Sequence, residues 1–137
     1  MKAARYFLAF LILGISLCAA ARPGNGFGID FDGLRRSLHL RSEQREQFDA
    51  AVAATQRALL AVALSGMQLK QGLEEELSKP KPDLGALARA QDQLFEDTRP
   101  LFREAGEAWR KLYTALDDGQ VAIAKSFIEE NLGRLLK

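Results

Sequence analysis

The chain has 137 residues, with 19 Lys and Arg against 18 Asp and Glu, one His and one Cys. This length allows one domain, and the near-neutral charge argues against a dedicated nucleic-acid binder, which usually carries a marked basic excess. Ala, Leu, Glu, Gln, Arg and Lys dominate, while β-branched residues are sparse and no stretch alternates apolar with polar residues, so the sequence predicts an all-α fold.

The first 21 residues have the pattern of a secretory signal peptide. Lys2 and Arg5 form a short basic start, the 16 residues from Tyr6 to Ala21 carry no charge, and three alanines at 19–21 provide the small side chains of a cleavage site. An uncleaved membrane anchor is the alternative, but a spanning helix needs about 20 apolar residues. We therefore expect cleavage before Arg22, export of the chain, and no stable membrane insertion afterwards.

Cleavage would remove the one cysteine of the chain, Cys18. Cys18 follows Leu17, whereas a lipid-modified cysteine normally follows a small residue, so we do not expect lipid attachment. The processed chain of 116 residues then has neither a disulfide nor a thiol for catalysis, and a domain of this size can build a core without cross-links. Residues 22–28 contain a proline and three glycines and are expected to form a flexible leader.

The rest of the chain, 29–137, is expected to be a single helical domain. A short helix or turn is predicted at 31–38, and helices are predicted at 42–78, 84–115 and about 118–136. The Lys-Pro-Lys-Pro segment at 79–82 ends the first long helix because proline cannot donate to the helical ladder. Asp83 is expected to cap the second long helix, and Pro100 to kink it without breaking it.

Each long helix carries an apolar stripe with a spacing of three and four residues. The two helices must run antiparallel for the stripes to meet, which gives an elongated hairpin about 50 Å long. Such a thin layer leaves apolar surface on its outer side, which favours a homodimer. The stripe of the first helix comprises Phe48, Val52, Thr55, Leu59, Val62, Gly66, Leu69 and Leu73; that of the second runs from Leu84 to Ala115 and is widened by Phe95, Phe102 and Trp109.

A short pattern, Leu-x-x-x-Gln, occurs just before two of the predicted helices. Leu40 to Gln44 opens the first long helix, and Leu116 to Gln120 opens the last. In the second copy Asp117 is expected to be the N-cap, with the Gln120 side chain reaching back to its amide and Leu116 acting as a hydrophobic staple. In the first copy Arg41 has no side-chain acceptor, so Ser42 is expected to provide the cap.

These paired segments resemble the Leu-Thr-x-x-Gln signature of the Spy/CpxP family of bacterial periplasmic proteins, with Arg41 and Asp117 in place of threonine. The resemblance covers the chain from about Leu38 to its end. It implies a periplasmic, cradle-shaped antiparallel dimer that works by binding. Members of the family act as ATP-independent chaperones for partly unfolded proteins, as inhibitory partners of envelope-stress sensor kinases, or as metal-responsive sensors. The resemblance therefore implies a chaperone, with a sensor-kinase regulator or a metal-responsive sensor as the alternatives.

The candidate client or dimer surface lies on the first long helix. Leu60, Leu64 and Met67 lie about 140° around that helix from the predicted core stripe. Their alternative role is packing against the last helix or a second copy of the chain. Basic residues on the same helix would add long-range attraction for clients; they are Arg45, Arg57 and Lys70.

The sequence gives little support for catalysis or a metal site. His39 is the one histidine, and a transition-metal site would need carboxylates or a second protomer beside it. Glu74, Glu75 and Glu76 are expected to form a solvated helix face. No nucleophile, oxyanion hole or phosphate loop accompanies the acidic residues, so we predict a protein that is not an enzyme and has no cofactor.

Overall fold

The computed structural model describes residues 29–135, with side chains described as far as Asn131. The predicted signal peptide and leader, and the last two residues, lie outside this part of the chain. Four helices make up the described residues, with no strand among them, and the all-α prediction is confirmed. They are α1 (Phe31–Leu38), α2 (Ser42–Leu77), α3 (Leu84–Ala115) and α4 (Asp118–Leu135).

The two long helices form an antiparallel hairpin. Thr55 of α2 accepts a hydrogen bond from Trp109 of α3 at 2.8 Å, and Arg57 pairs with Glu104 at 2.6 Å. Residues that come later on α2 therefore meet residues that come earlier on α3. The α2 helix of 36 residues is about 54 Å long.

Local chemistry explains where the helices begin and end. The Asp30 carboxylate accepts the Gly33 amide at 2.8 Å at the start of α1, and the Asp83 carboxylate accepts the Ala86 amide at 3.0 Å at the start of α3. His39 ends α1 in the left-handed conformation, with φ of 47°. The α3 helix continues through Pro100, so the prediction that this proline does not break the helix is confirmed.

The hydrophobic core lies at one end of the hairpin, where α1 and α4 cover α2 and α3. Trp109 stacks on Phe31 with ring centroids 5.9 Å apart and meets Phe48 edge-on at 5.6 Å. The indole N–H donates to the Thr55 hydroxyl, which in turn donates to the Ala51 carbonyl. Trp109 and the half-buried Phe102 thus belong to the core, as predicted. We call residues 29–59 and 98–135 the base.

Residues 60–97 form a two-helix arm that α1 and α4 do not cover. Val62 is its one buried residue, and none from 63 to 97 is buried. Leu73 and Leu84, predicted to lie in the buried stripes, are 39% and 64% exposed, and Phe95 is 46% exposed. The prediction of burial is wrong at these three positions because a pair of helices cannot enclose the residues along its own edges.

Candidate binding surface

The two Leu-x-x-x-Gln segments meet at the base through a reciprocal pair of glutamine side chains. The Gln44 amide nitrogen donates to Gln120 Oε1 at 3.0 Å, and the Gln120 amide nitrogen donates to Gln44 Oε1 at 3.1 Å. Both side chains are buried, at 2% and 7% exposure. A buried amide must find partners for all its polar groups, and this pairing supplies half of them.

The remaining hydrogen bonds of the pair go to backbone groups at the ends of all four helices. Each Oε1 accepts the N-cap amide of its own helix, from Arg41 at 2.9 Å and from Asp117 at 3.1 Å. Each amide nitrogen donates to a carbonyl at the end of another helix, Gln44 to Ala115 of α3 at 2.7 Å and Gln120 to Leu38 of α1 at 3.0 Å. Helix ends leave such groups without partners, so the pair ties four helix termini at one point.

The capping predictions for the two segments have different outcomes. At α4 the Asp117 carboxylate accepts the Gln120 amide at 2.9 Å while Gln120 reaches back to the Asp117 amide, as predicted. At α2 the prediction that Ser42 is the cap is wrong. Arg41 is the N-cap, Ser42 is the first helical residue and is exposed, and Gln44 alone provides the side-chain contact to the cap amide.

The leucines of the two segments pack into the base. Leu40 is 8% exposed and Leu116 lies half-buried against the core. Together with the glutamine pair they hold the helices in place. The segments therefore position the hairpin, and the exposed large apolar surface lies elsewhere.

That surface is on the arm. Leu60, Leu64 and Met67 are 57%, 53% and 69% exposed, and they form an outer stripe along α2. A second group of exposed apolar side chains, the tip seam, is contributed by both helices of the arm. Every large apolar side chain exposed in the described part of the chain belongs to one of these two regions; the tip seam comprises Leu73, Leu77, Leu84 and Phe95.

The basic residues predicted to accompany the outer stripe lie in different places. Arg57 is on the same face, one turn before Leu60, and forms an ion pair with Glu104. Lys70 pairs with Glu74 at 3.7 Å. Arg45 lies in a shallow depression of the base beside α1, about 22 Å from Leu60 along the helix axis. The structure therefore does not join Arg45 to the apolar stripe.

The Glu76 carboxylate forms hydrogen bonds within the turn between the two helices of the arm. Glu76 accepts hydrogen bonds from the Lys79 ammonium and from the Asp83 amide, the latter at 3.0 Å. The hydrogen bond from Lys79 lowers the pKa of Glu76 most, and the bond from the Asp83 amide lowers it further. The Lys79–Glu76 hydrogen bond also raises the pKa of Lys79. The turn thus fixes the spacing of α2 and α3 at the tip.

Two observations on the described residues concern metal ligation and membrane insertion. No group of three His, Cys, Asp or Glu suited to a metal occurs among residues 29–131. By length and composition α2 could cross a membrane, with a hydropathy of 1.4 in its most apolar stretch, 33% of which is buried. The core helix of a soluble protein meets the same criteria, so this property of α2 is weak evidence for insertion.

Comparisons of the chain with protein-family models, with curated proteins and with solved structures found no match.

Proposed function

We propose that this protein is a periplasmic, ATP-independent chaperone that binds partly unfolded proteins on its arm. The observation that carries the proposal is the concentration of exposed large apolar side chains on residues 60–97, at a distance from the covered core. Monomeric soluble proteins rarely expose continuous apolar patches larger than a few hundred Å², and larger patches commonly mark interaction sites. The predicted signal peptide supports the proposed compartment.

The exposed side chains suit weak, reversible binding. Covering the exposed parts of Leu60, Leu64 and Met67 contributes about 3–5 kcal/mol in total, at about 1.5–3 kcal/mol for each fully buried side chain of this kind. A free energy of about 4 kcal/mol corresponds to a dissociation constant of ~1 mM, so a client must touch several regions of the arm to be held. A client that buries its own apolar groups as it folds loses these contacts and is released without ATP.

An aggregation assay tests the proposal. The processed protein should suppress light scattering by an unrelated, thermally unfolding protein at a comparable molar ratio. The variant L60Q/L64Q/M67Q should lose most of this suppression, because Gln keeps the helix while removing the apolar contacts. A control variant with exposed base residues replaced, A50Q/A122Q/S126Q, should retain it. Absence of suppression at a tenfold molar excess of the unmodified protein would overturn the proposal.

A second copy of the chain could occupy the same surface, as the expected homodimer would require. Sedimentation equilibrium distinguishes the two uses. If L60Q/L64Q/M67Q converts a dimer to a monomer but keeps suppression, the outer stripe is the dimer interface, and client binding must be assigned to the tip seam. If the variant stays dimeric, the stripe is free for clients. Crosslinking in cells should return many clients, and a single dominant product would favour a sensor-kinase domain as the partner.

A further inference from the structure

The arm differs from the base in net charge as well as in apolar exposure. Residues 60–97 carry seven acidic and four basic side chains, a net charge of −3. Residues 29–59 and 98–135 together carry eleven of each and are neutral. Among the described residues, the exposed large apolar side chains therefore lie within the acidic part.

The acidic residues lie beside the apolar ones. Given the rotation of about 100° per residue along α2, Glu74 and Glu75 lie on the same side of the helix as the outer stripe. They continue the stripe towards the tip. On α3, Asp92 lies one turn before the exposed Phe95, on the same side of the helix. A chain lying along the arm would meet apolar groups and carboxylates together.

Part of this negative charge is not neutralised by neighbours. Glu74 pairs with Lys70, Glu76 with Lys79, and Asp83 with Arg89; Glu96 pairs with Arg99 at the edge of the base. Neither Glu75 nor Asp92 has a cation within ion-pair distance in the described residues, although Lys79 attracts Glu75 at longer range. Their carboxylates are therefore available to a cation on a bound chain.

We propose, on the basis of the proposed function, that the arm selects unfolded segments that carry basic residues beside apolar ones. The negative arm attracts a positively charged segment over about 10 Å at 0.1 M salt, which raises the rate of encounter. Apolar contact then holds the segment, and like charge disfavours an acidic one. Selection is thus electrostatic, and retention is hydrophobic.

Two labelled peptides test the inference with the processed full chain. They share one apolar sequence and differ only in flanking residues, four Lys in one and four Glu in the other. Fluorescence anisotropy at 20 mM NaCl should give binding of the Lys peptide about three- to tenfold tighter, since exposed charge pairs are individually weak. At 300 mM NaCl the difference should shrink towards equality.

Charge-reversal variants locate the effect. E75K/D92K changes the arm from −3 to +1 and should abolish or reverse the preference. The control E46K/E107K adds the same charge to exposed positions of the base and should keep the preference. Equal binding of the two peptides, or a preference that survives in E75K/D92K, would overturn the inference while leaving the chaperone proposal intact. Binding of neither peptide would overturn both.

Discussion

The reciprocal glutamine pair makes a quantitative prediction about how the four helices are held together. Replacing Gln44 or Gln120 with Leu keeps the approximate side-chain volume but removes the amide. The structure predicts that the two substitutions are strongly coupled, because each amide bonds to the other as well as to the backbone.

The magnitude follows from counting the hydrogen bonds lost. Each glutamine side chain takes part in four, two of them shared with its partner, so either single variant loses four and the double variant loses six. At about 1 kcal/mol for each bond, a single variant should lose ~4 kcal/mol and the double variant ~6 kcal/mol. The sum of the singles exceeds the double by ~2 kcal/mol, which is the coupling energy.

Urea unfolding followed by circular dichroism and by the fluorescence of Trp109, the one tryptophan of the chain, measures these free energies. All variants are measured in the same concentration of trimethylamine N-oxide, which strengthens the folded state enough to keep the double variant folded. Gln47→Leu is the control, since the buried Gln47 Oε1 has no hydrogen-bond partner among the described residues, and its loss should be neutral or stabilising. Additive effects of Gln44→Leu and Gln120→Leu would refute the paired geometry.

Two further predictions concern the turn of the arm and the end of α1. Because the pKa of Glu76 is lowered in the folded state, its contribution to stability is present above the ordinary Glu pKa of about 4.3 and is lost as the pH falls through the lowered value. An NMR titration should give Glu76 a pKa below this ordinary value, and Glu76→Gln should lose less stability in acid than the unmodified protein. His39 holds a φ of 47°, which costs a residue with a Cβ about 1 kcal/mol, so His39→Gly should raise the free energy of unfolding by about that amount and His39→Val should lower it, both measured in urea. A Glu76 pKa at the ordinary value, or a His39→Gly variant less stable than the unmodified protein, would contradict the respective geometry.

Helix positions were predictable because their signals are local. The predicted ranges at 42–78 and 84–115 agree with α2 and α3 to within one residue, and the Asp83 and Asp117 caps are confirmed. Proline, capping carboxylates and the three-four apolar spacing act over a few residues, so the sequence contains them in full.

The Gln44–Gln120 contact was not predictable from such signals, because it joins residues 76 positions apart. Capping chemistry accounts for one hydrogen bond of each side chain. The others depend on how α1 and α3 end, and they exist only after the hairpin brings the two helix starts together. The near-identical spacing of the two segments was the one available indication that they meet.

Burial along the arm was predicted wrongly for a related reason. The apolar spacing that places Phe48 and Leu59 in the core continues to Leu73, but spacing identifies a face of a helix and not the number of helices that cover it. At the base, α1 and α4 complete the enclosure, whereas α2 and α3 are the only described helices at the tip. The same pattern thus gives a sealed core at one end and an exposed seam at the other.

If the arm binds clients as proposed, the two ends of the hairpin divide stability and binding between them. The buried tryptophan, the aromatic contacts and the glutamine pair lie in the base, so substitutions that alter the arm surface need not disturb them. Leaving apolar side chains exposed lowers stability where the fold needs them buried. Here the glutamine pair that holds the helices lies about 35 Å from the outer stripe, measured along α2 from Gln44 to Met67. A chain with this arrangement can vary the apolar and charged residues of its arm to change its partners while its helices remain tied at the base.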